Sequence, residues 1–283
     1  MTTWIKDNCV SFFQLFCIKV VKTGRVPQHI AFIMDGNRRY AKKNSFECTV
    51  GHYKGFDKLS ECLKWCLDLG IPEVTVYAFS IENFKRSKKE VDALTELARE
   101  KFQRLLDEID QINEWGVRLN VAGRLCLFPH DLQVLISKVM LATKHNNKLQ
   151  LNIAYAYTGR DEISRAASHI VDGLKRKEIS PDDVNEHLMS QALDLGEPDL
   201  LVRTSGEVRL SDFMLWQISN TVLYFTDVLW PEFSIWNLLA AIIHFQRHSP
   251  PIIEEKENSP VIEKFLRKLE DTKWQQLEKI VAC

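Results

Sequence analysis

His29-Ile30-Ala31-Phe32-Ile33-Met34-Asp35-Gly36-Asn37-Arg38-Arg39-Tyr40-Ala41-Lys42-Lys43 is the most informative segment of the chain. An apolar run, Ile30 to Met34, leads straight into an acid, a glycine, an amide and two arginines. It reads as a buried strand of an α/β sheet, and ligands bind such sheets in the crevice past the carboxyl ends of the strands. Gly36 lets the backbone turn tightly and approach a ligand. A helix starting here turns its first amides to the crevice and favours an anion. Arg38 and Arg39 add fixed charge suited to phosphate oxygens. Asp35 beside such an anion is repelled unless a cation lies between them. The segment therefore points to a magnesium diphosphate site; the alternative is a strand closed by a solvated charged turn.

Strand-like runs recur at Ile30–Met34, Glu73–Phe79, Val117–Val121, Leu149–Ala156, Asp199–Val202 and Val222–Phe225. Helical stretches lie between them near 52–69, 88–114, 129–146, 160–177 and 182–193. Alternation of this kind predicts an α/β fold with a mostly parallel central sheet flanked by helices. Leu200-Leu201-Val202 is a continuous apolar run, as a strand buried on both faces requires. A helix is expected from Ser234 to Arg247, then a break at Ser249-Pro250-Pro251, then a helix from Val261 to Val281 with Ile262, Phe265, Leu266, Leu269, Leu277 and Ile280 on one side. At the other end, Trp4 to Val21 reads as an amphipathic helix ended by Gly24 and Pro27. Its stripe is Cys9, Phe13, Phe16 or Cys17, and Val20, broadened by Phe12 and Leu15. It either packs on the domain or lies on a membrane surface. The expected division is an N-terminal amphipathic helix over 1–24, a catalytic domain over 25–248, and a C-terminal linker and helix over 249–283.

The balance of charges, 37 Lys and Arg against 38 Asp and Glu, gives a net −1 and no basic field of the kind nucleic-acid binding shows. The seven cysteines carry no CxxC and no His-paired zinc spacing, which points to reduced thiols in a cytosol-facing protein. No secretory signal or transmembrane segment is expected, because Lys6, Asp7 and Lys19 interrupt the first apolar stretch.

Two further clusters follow strands. Ser80-Ile81-Glu82-Asn83-Phe84-Lys85-Arg86-Ser87 offers neutral hydrogen-bonding groups and a guanidinium. It also reads as a helix-capping loop, with Ser87 and Glu90 spaced as a capping box. Arg203-Thr204-Ser205-Gly206-Glu207-Val208-Arg209-Leu210-Ser211-Asp212 places two arginines and three hydroxyls around one glycine. That inventory suits a diphosphate; the alternative is a polar surface loop. A parallel sheet puts all three clusters on one rim. Together they make a site for two anionic groups and a divalent cation.

On these motifs, with Gly51-His52 and the stretch Tyr224 to Phe233, the chain resembles the cis-prenyltransferases, the undecaprenyl diphosphate synthase-like family, over nearly its whole length. The wording Arg38-Arg39-Tyr40 and Ser205-Gly206-Glu207-Val208-Arg209-Leu210-Ser211-Asp212 is similar to that of its eukaryotic dehydrodolichyl diphosphate synthase branch. The resemblance implies that Asp35 binds magnesium on a diphosphate. It places Gly36, Asn37, Arg38, Arg39 and His52 around an allylic diphosphate, with Ser80 also in contact with substrate. Asn83 and Arg86 fall near the reacting centre, and Arg203, Arg209 and Ser211 on isopentenyl diphosphate. It implies farnesyl diphosphate as the allylic substrate, Mg2+ as cofactor, and a polyprenyl diphosphate product for dolichol synthesis and protein glycosylation. It also implies peripheral attachment at the cytosolic face of the endoplasmic reticulum membrane. Phe56, Leu59, Leu63, Leu94, Leu97 and Phe102 are expected to line a product tunnel, or else to be plain core. The aspartate-rich DDxxD motifs of all-α trans-prenyltransferases are absent: Asp182-Asp183 is followed by Val184-Asn185-Glu186.

Three positions depart from the family pattern. Cys48 stands where an arginine usually precedes His52 by four residues. Val222 stands where bacterial enzymes carry a metal-binding glutamate, as in dolichol-type subunits. The stretch Trp274 to Cys283 has no Arg-x-Gly, which two-subunit enzymes take from a Nogo-B receptor-like partner; Arg267 is the nearest arginine. The alternative to an enzyme is a degenerate paralogue that binds a partner or lipid without turnover.

Overall fold

The computed structural model describes residues 11–251 and 259–283. Its strands are β1 (His29–Ile33), β2 (Glu73–Ser80), β3 (Val117–Ala122), β4 (Leu149–Tyr157), β5 (Leu200–Arg203) and β6 (Val222–Phe225). They form one six-stranded sheet in the order β3-β4-β2-β1-β5-β6, parallel throughout. The helices are α1 (Phe12–Val21), α2 (Asn37–Lys43), α3 (Cys48–Leu69), α4 (Lys88–Asp107), α5 (Ile109–Trp115), α6 (His130–Ala142), α7 (Gly159–Lys175), α8 (Glu186–Gln191), α9 (Ile235–His248) and α10 (Pro260–Ala282).

Ile30, Ala31 and Phe32 in β1, and Leu200, Leu201 and Val202 in β5, are fully buried, because helices cover both faces of the sheet. From β1 the chain builds outward on one side through β2, and returns later to add β5 on the other. The crevice between β1 and β5 is thus a topological switch point, where open α/β sheets take ligands. The pairing Ile33↔Arg203 sets the two rim loops side by side.

Several boundaries differ from expectation. The helix expected over 88–114 divides at Glu108, which ends α4 and caps α5. Helix α3 begins at Cys48 rather than near 52, which puts Cys48 and His52 on consecutive turns. Only Glu186–Gln191 of the 182–193 stretch is α-helical; Asp183 instead accepts from the Ser180 backbone in a single 3-10 turn. Strand β5 is displaced by one residue and contains Arg203, while Asp199 accepts from the Gln28 and His29 amides.

The N-terminal stripe is corrected more substantially. Cys9, with the rest of the expected helix before residue 11, lies outside the described residues. In α1 the inward side is Cys17, Ile18 and Val21, whereas Phe12, Phe13, Leu15, Phe16 and Val20 are exposed. The segment is apolar nearly all round, so periodicity could not choose its buried face. On α10, Ile262, Phe265, Trp274 and Leu277 are buried, and the helix packs on α6. No described helix is long and apolar enough to cross a membrane.

Candidate active site

The site begins at the end of β1. Asp35 closes the strand, and Gly36 turns the chain with φ +106°, a left-handed conformation that glycine adopts without cost. A Cβ at Gly36 would also meet Ser205 and Leu229 at about 3 Å. The loop after β5 clamps this turn. The Thr204 hydroxyl accepts from the Asp35 amide (3.0 Å) and donates to the Asp35 carbonyl (2.7 Å). Thr204 and Ser205, read from the sequence as free donors, are thus largely spent on holding the two rim loops together; Ser205 Oγ accepts from Arg39.

Arg203 is 2% exposed and lies under the cleft floor. It donates to Asp35 Oδ2 (3.0 Å), to Ser211 Oγ (2.8 Å) and to the Arg209 carbonyl, and its Nε is buried without a partner. The loop carrying it has left-handed backbone at Ser205, Gly206, Ser211 and Asp212. It is anchored below by fully buried Phe213 and Met214 and by Gln217, which donates to the buried Glu162 carboxylate (2.8 Å). Burial raises the Glu162 pKa. Arg39 and Arg209 rest on Glu207, and Asp212 is held by Arg160 (2.7 Å).

Helix α2 crosses α3 at two glycines. A Cβ on Gly51 would lie 2.3 Å from the Asn37 carbonyl, and one on Gly55 2.3 Å from Asn37 Oδ1. The close approach buries Asn37 Oδ1 and His52 Nε2, both without hydrogen-bond partners. The His52 pKa is lowered to about 4, first by burial and then by the positive charge of Arg86 and Arg38. His52 is therefore neutral at pH 7.

The second cluster does two things at once. Ser80 and Asn83 cap the short turn Ile81–Lys85, with Asn83 Oδ1 accepting from the Ser80 amide (3.0 Å), and both still line the cleft. The capping box at Ser87 forms only by half. The Glu90 amide donates to Ser87 Oγ, but the Glu90 carboxylate turns away to Arg86 (2.8 Å) and Arg38 (3.8 Å). It ends beside Cys48 and His52. Burial, then the Glu90 charge, raises the Cys48 pKa.

All the candidate residues, Asp35, Gly36, Asn37, Arg38, Arg39, His52, Ser80, Asn83, Arg86, Arg203, Arg209 and Ser211, line one cleft of about 1570 Å³ that opens to solvent. Tyr77, Glu82, Glu207 and Asp212 line it too and were not singled out. Tyr77 stacks on Phe213 (4.5 Å), and burial pushes its pKa up to about 12. A tyrosine inside a strand carries no sequence signal for such a role. The cleft shares Met34, Asn37, His52, Phe79 and Leu94 with an apolar cavity of about 860 Å³ between the sheet, α3 and α4. Phe56, Leu59, Leu94, Leu97 and Phe102 line that cavity as expected; Leu63 does not, and is core.

Asp35 is a carboxylate suited to a metal, since it lines the cleft beside the Gly36 turn and its side chain is about one-third exposed. Val222 opens β6 at the end of the strand away from the rim, because Phe225, not Val222, pairs with Arg203. No described residue of α10 lines the cleft, and Arg267 there pairs with Glu263 (3.3 Å).

The undecaprenyl diphosphate synthase family profile matches residues 33–250. The chain is 53% identical over 247 residues to a dehydrodolichyl diphosphate synthase complex subunit of Homo sapiens, covering 86% of this chain and 74% of that one. It is 43% identical over 252 residues to the corresponding complex subunit of Schizosaccharomyces pombe, covering 88% and 94%. Among solved structures it superposes on lavandulyl diphosphate synthase from Lavandula x intermedia in complex with dimethylallyl diphosphate. That match has a TM-score of 0.74 and 32% identity, covering 79% of this chain and 96% of that one. A probable undecaprenyl diphosphate synthase from Campylobacter jejuni matches with a TM-score of 0.66 and 30% identity, covering 80% and 97%. The chain belongs to the cis-prenyltransferase family.

Proposed function

We propose that this enzyme condenses isopentenyl diphosphate in cis onto farnesyl diphosphate, building a long-chain dehydrodolichyl-type product for dolichol synthesis and protein glycosylation. The observation that carries the reading is the junction of a cleft lined by arginines, amides and hydroxyls with an apolar cavity. Charged heads stay in the first while a growing hydrocarbon chain enters the second. Arg38, Arg39, Asn37 and the Gly36 turn receive the allylic diphosphate beside His52. Arg203, Arg209 and Ser211 hold isopentenyl diphosphate, and Ser80, Asn83 and Arg86 flank the space between. A bond forms from isopentenyl C4 to the allylic carbon as the allylic C–O bond breaks. Diphosphate leaves with that electron pair, and a proton leaves isopentenyl C2. Fixed guanidiniums stabilise the leaving charge most where it develops, and holding both substrates in one cleft removes much of the entropic barrier.

One hard carboxylate beside a diphosphate is a donor set that magnesium takes readily, so Asp35 is the residue to hold it. When bound, magnesium neutralises charge on the diphosphate. Arg203 and the Gly36 amide (2.7 Å) keep the Asp35 carboxylate oriented toward the cleft.

The names of the human and fission-yeast relatives support a complex, and we assign to a Nogo-B receptor-like partner subunit the role of supplying an Arg-x-Gly motif to the site. The exposed phenylalanines of α1 support peripheral contact with the cytosolic face of the endoplasmic reticulum membrane. The non-catalytic alternative is disfavoured because the family's substrate residues other than Cys48 are retained in one cleft.

Incorporation of radiolabelled isopentenyl diphosphate, with farnesyl diphosphate and magnesium, with and without the partner, tests the reading. Asp35→Ala is expected to lower turnover by on the order of 10²-fold or more while keeping the fold. A variant with a near wild-type rate at saturating magnesium would sink the assignment.

A further inference from the structure

Cys48 is where this chain departs from its family beside the cleft, and the structure shows what surrounds it. Its thiol, a ring nitrogen of His52 and a carboxylate oxygen of Glu90 all lie within 4.8 Å of one another. Cys48 and His52 are one turn apart on α3, and Glu90 reaches across from the first turn of α4. The Cys-x-x-x-His spacing went unread in the sequence because its third member lies on another helix.

We propose that Cys48, His52 and Glu90 form a site for a thiophilic divalent cation of the zinc class, which stands in for the absent guanidinium. The ligand types are those zinc prefers, at about 2.3 Å for sulfur and about 2.0–2.2 Å for nitrogen and oxygen. Tetrahedral bonds of that length bring ligand atoms to roughly 3.3–3.8 Å of each other, so closure needs a movement of only about 1 Å. His52 Nε2 is buried and without a hydrogen-bond partner, so no protein group holds the ring through that nitrogen. Three protein ligands leave a fourth position open, and all three residues line a depression that also holds Thr49, Ser87 and Leu94 and joins the main cleft at His52.

Charge agrees with the substitution. A dication with one thiolate, one carboxylate and a neutral imidazole sums to zero, the same as an arginine paired with Glu90. Arg38 and Arg86 now meet Glu90 through Oε1. With the carboxylate engaged by a cation, both guanidiniums are released toward an anion in the cleft. Binding of the cation stands on geometry alone; its role toward a diphosphate rests on the prenyl-transfer reading.

The test separates the two. Cobalt(II) is titrated into the purified full-length protein without substrates, and thiolate-to-metal charge-transfer absorption is followed. The expected result is one equivalent of cobalt with a thiolate band, displaced by zinc, abolished in Cys48→Ser and weakened in Glu90→Gln. Absence of the band would overturn the site. So would its persistence in Cys48→Ser, which would place the ion on an exposed thiol such as Cys126 or Cys283. Cys48 is exposed, so serine there leaves the fold intact, with circular dichroism as the control. In the second arm, zinc is expected to tighten farnesyl diphosphate binding by about tenfold. Cys48→Arg should match the zinc-loaded affinity and ignore zinc. If zinc weakens or does not change that binding, or if Cys48→Arg does not tighten it in zinc-free buffer, the stand-in role is overturned. Failure of isopentenyl diphosphate incorporation would refute the prenyl-transfer reading without moving the cobalt band.

Discussion

Arg203 and Arg209 share one proposed substrate but differ in physical situation. Arg203 is almost wholly buried and ties three groups together, Asp35, Ser211 and the Arg209 carbonyl. Arg209 has a largely exposed side chain that rests on Glu207. Truncating Arg209 therefore removes a ligand contact and little else. Arg209→Ala is expected to raise the KM for isopentenyl diphosphate by about tenfold or more, the worth of a charge-assisted contact at roughly 1.5–3 kcal/mol, with an unchanged melting temperature. Arg203→Ala should do the same and also lower the melting temperature, because it leaves Asp35 without its main partner. If only farnesyl diphosphate kinetics respond to Arg209→Ala, the two diphosphate sites are assigned backwards. At this scale the sequence was informative where residue type and strand end coincide, as at Asp35, Arg38 and Arg203. Glu90 reads in the sequence only as half of a capping box, and Tyr77 only as a strand residue, because their places at the cleft depend on where helix and strand axes meet. Thr204 was misjudged for a related reason: a hydroxyl beside an anion site and a hydroxyl clamping two loops look alike in one dimension.

Elements show the same division. Strand order was not read from the sequence, yet the alternation of strands and helices sufficed to put the three clusters on one rim, since parallel strands all present the same end. Helix faces were less legible, and α1 is the clearest case. Its buried side is Cys17, Ile18 and Val21, which leaves Phe12 and Phe16 outward beside a ring contact between Phe13 and Trp236. The double substitution Phe12→Glu, Phe16→Glu is a sharper probe than deleting the helix, which would strip Ile18 and Val21 from the core. It is expected to lower recovery on anionic liposomes several-fold while leaving the unfolding free energy within about 1 kcal/mol of wild type. Unchanged flotation would reject the membrane role. The α2–α3 crossing supplies a second probe. In an ordinary exposed helix, Gly→Ala stabilises by about 1 kcal/mol. At Gly51 the added methyl meets the Asn37 backbone carbonyl at 2.3 Å, so one helix must move. Gly51→Ala is expected to destabilise by roughly 1–3 kcal/mol and to weaken farnesyl diphosphate binding, because Asn37 and Arg38 shift together. A stabilised variant with unchanged binding would show that the crossing has slack.

On the scale of the whole molecule, the buried histidines tie stability to pH. His29 opens β1 at the end of the sheet away from the cleft, donating from Nδ1 to the Glu197 carbonyl (3.1 Å) and accepting at Nε2 from the Thr75 hydroxyl (2.6 Å). Burial lowers its pKa, although Glu73 and Asp199 oppose the shift. His52, at the opposite end of the sheet, is lowered to about 4 by burial and by Arg86 and Arg38. An unfolded chain takes up protons on both near pH 6.5. Between there and about pH 4 the unfolded state therefore binds more protons than the native one, and stability falls as pH falls. The contribution of His52 is complete above about pH 6.5, is lost progressively below it and levels off near 4; a shift of this size is worth at most about 3 kcal/mol. Glu162, with its raised pKa, works against this trend at the acid end, so a wild-type curve alone does not isolate the histidine. A difference curve does. Urea unfolding of wild type and His52→Gln from pH 7.5 to 4.5 is expected to show a shallower acid loss in the variant, with the two curves converging or crossing as pH falls. Arg38, Arg86, Glu90 and Cys48 face the imidazole, so the comparison belongs in zinc-free, substrate-free buffer. Parallel curves across that range would mean that water reaches His52 freely. The cleft and the cavity would then meet at a wet junction, through which a hydrocarbon chain would pass less readily than the dry, neutral imidazole implies.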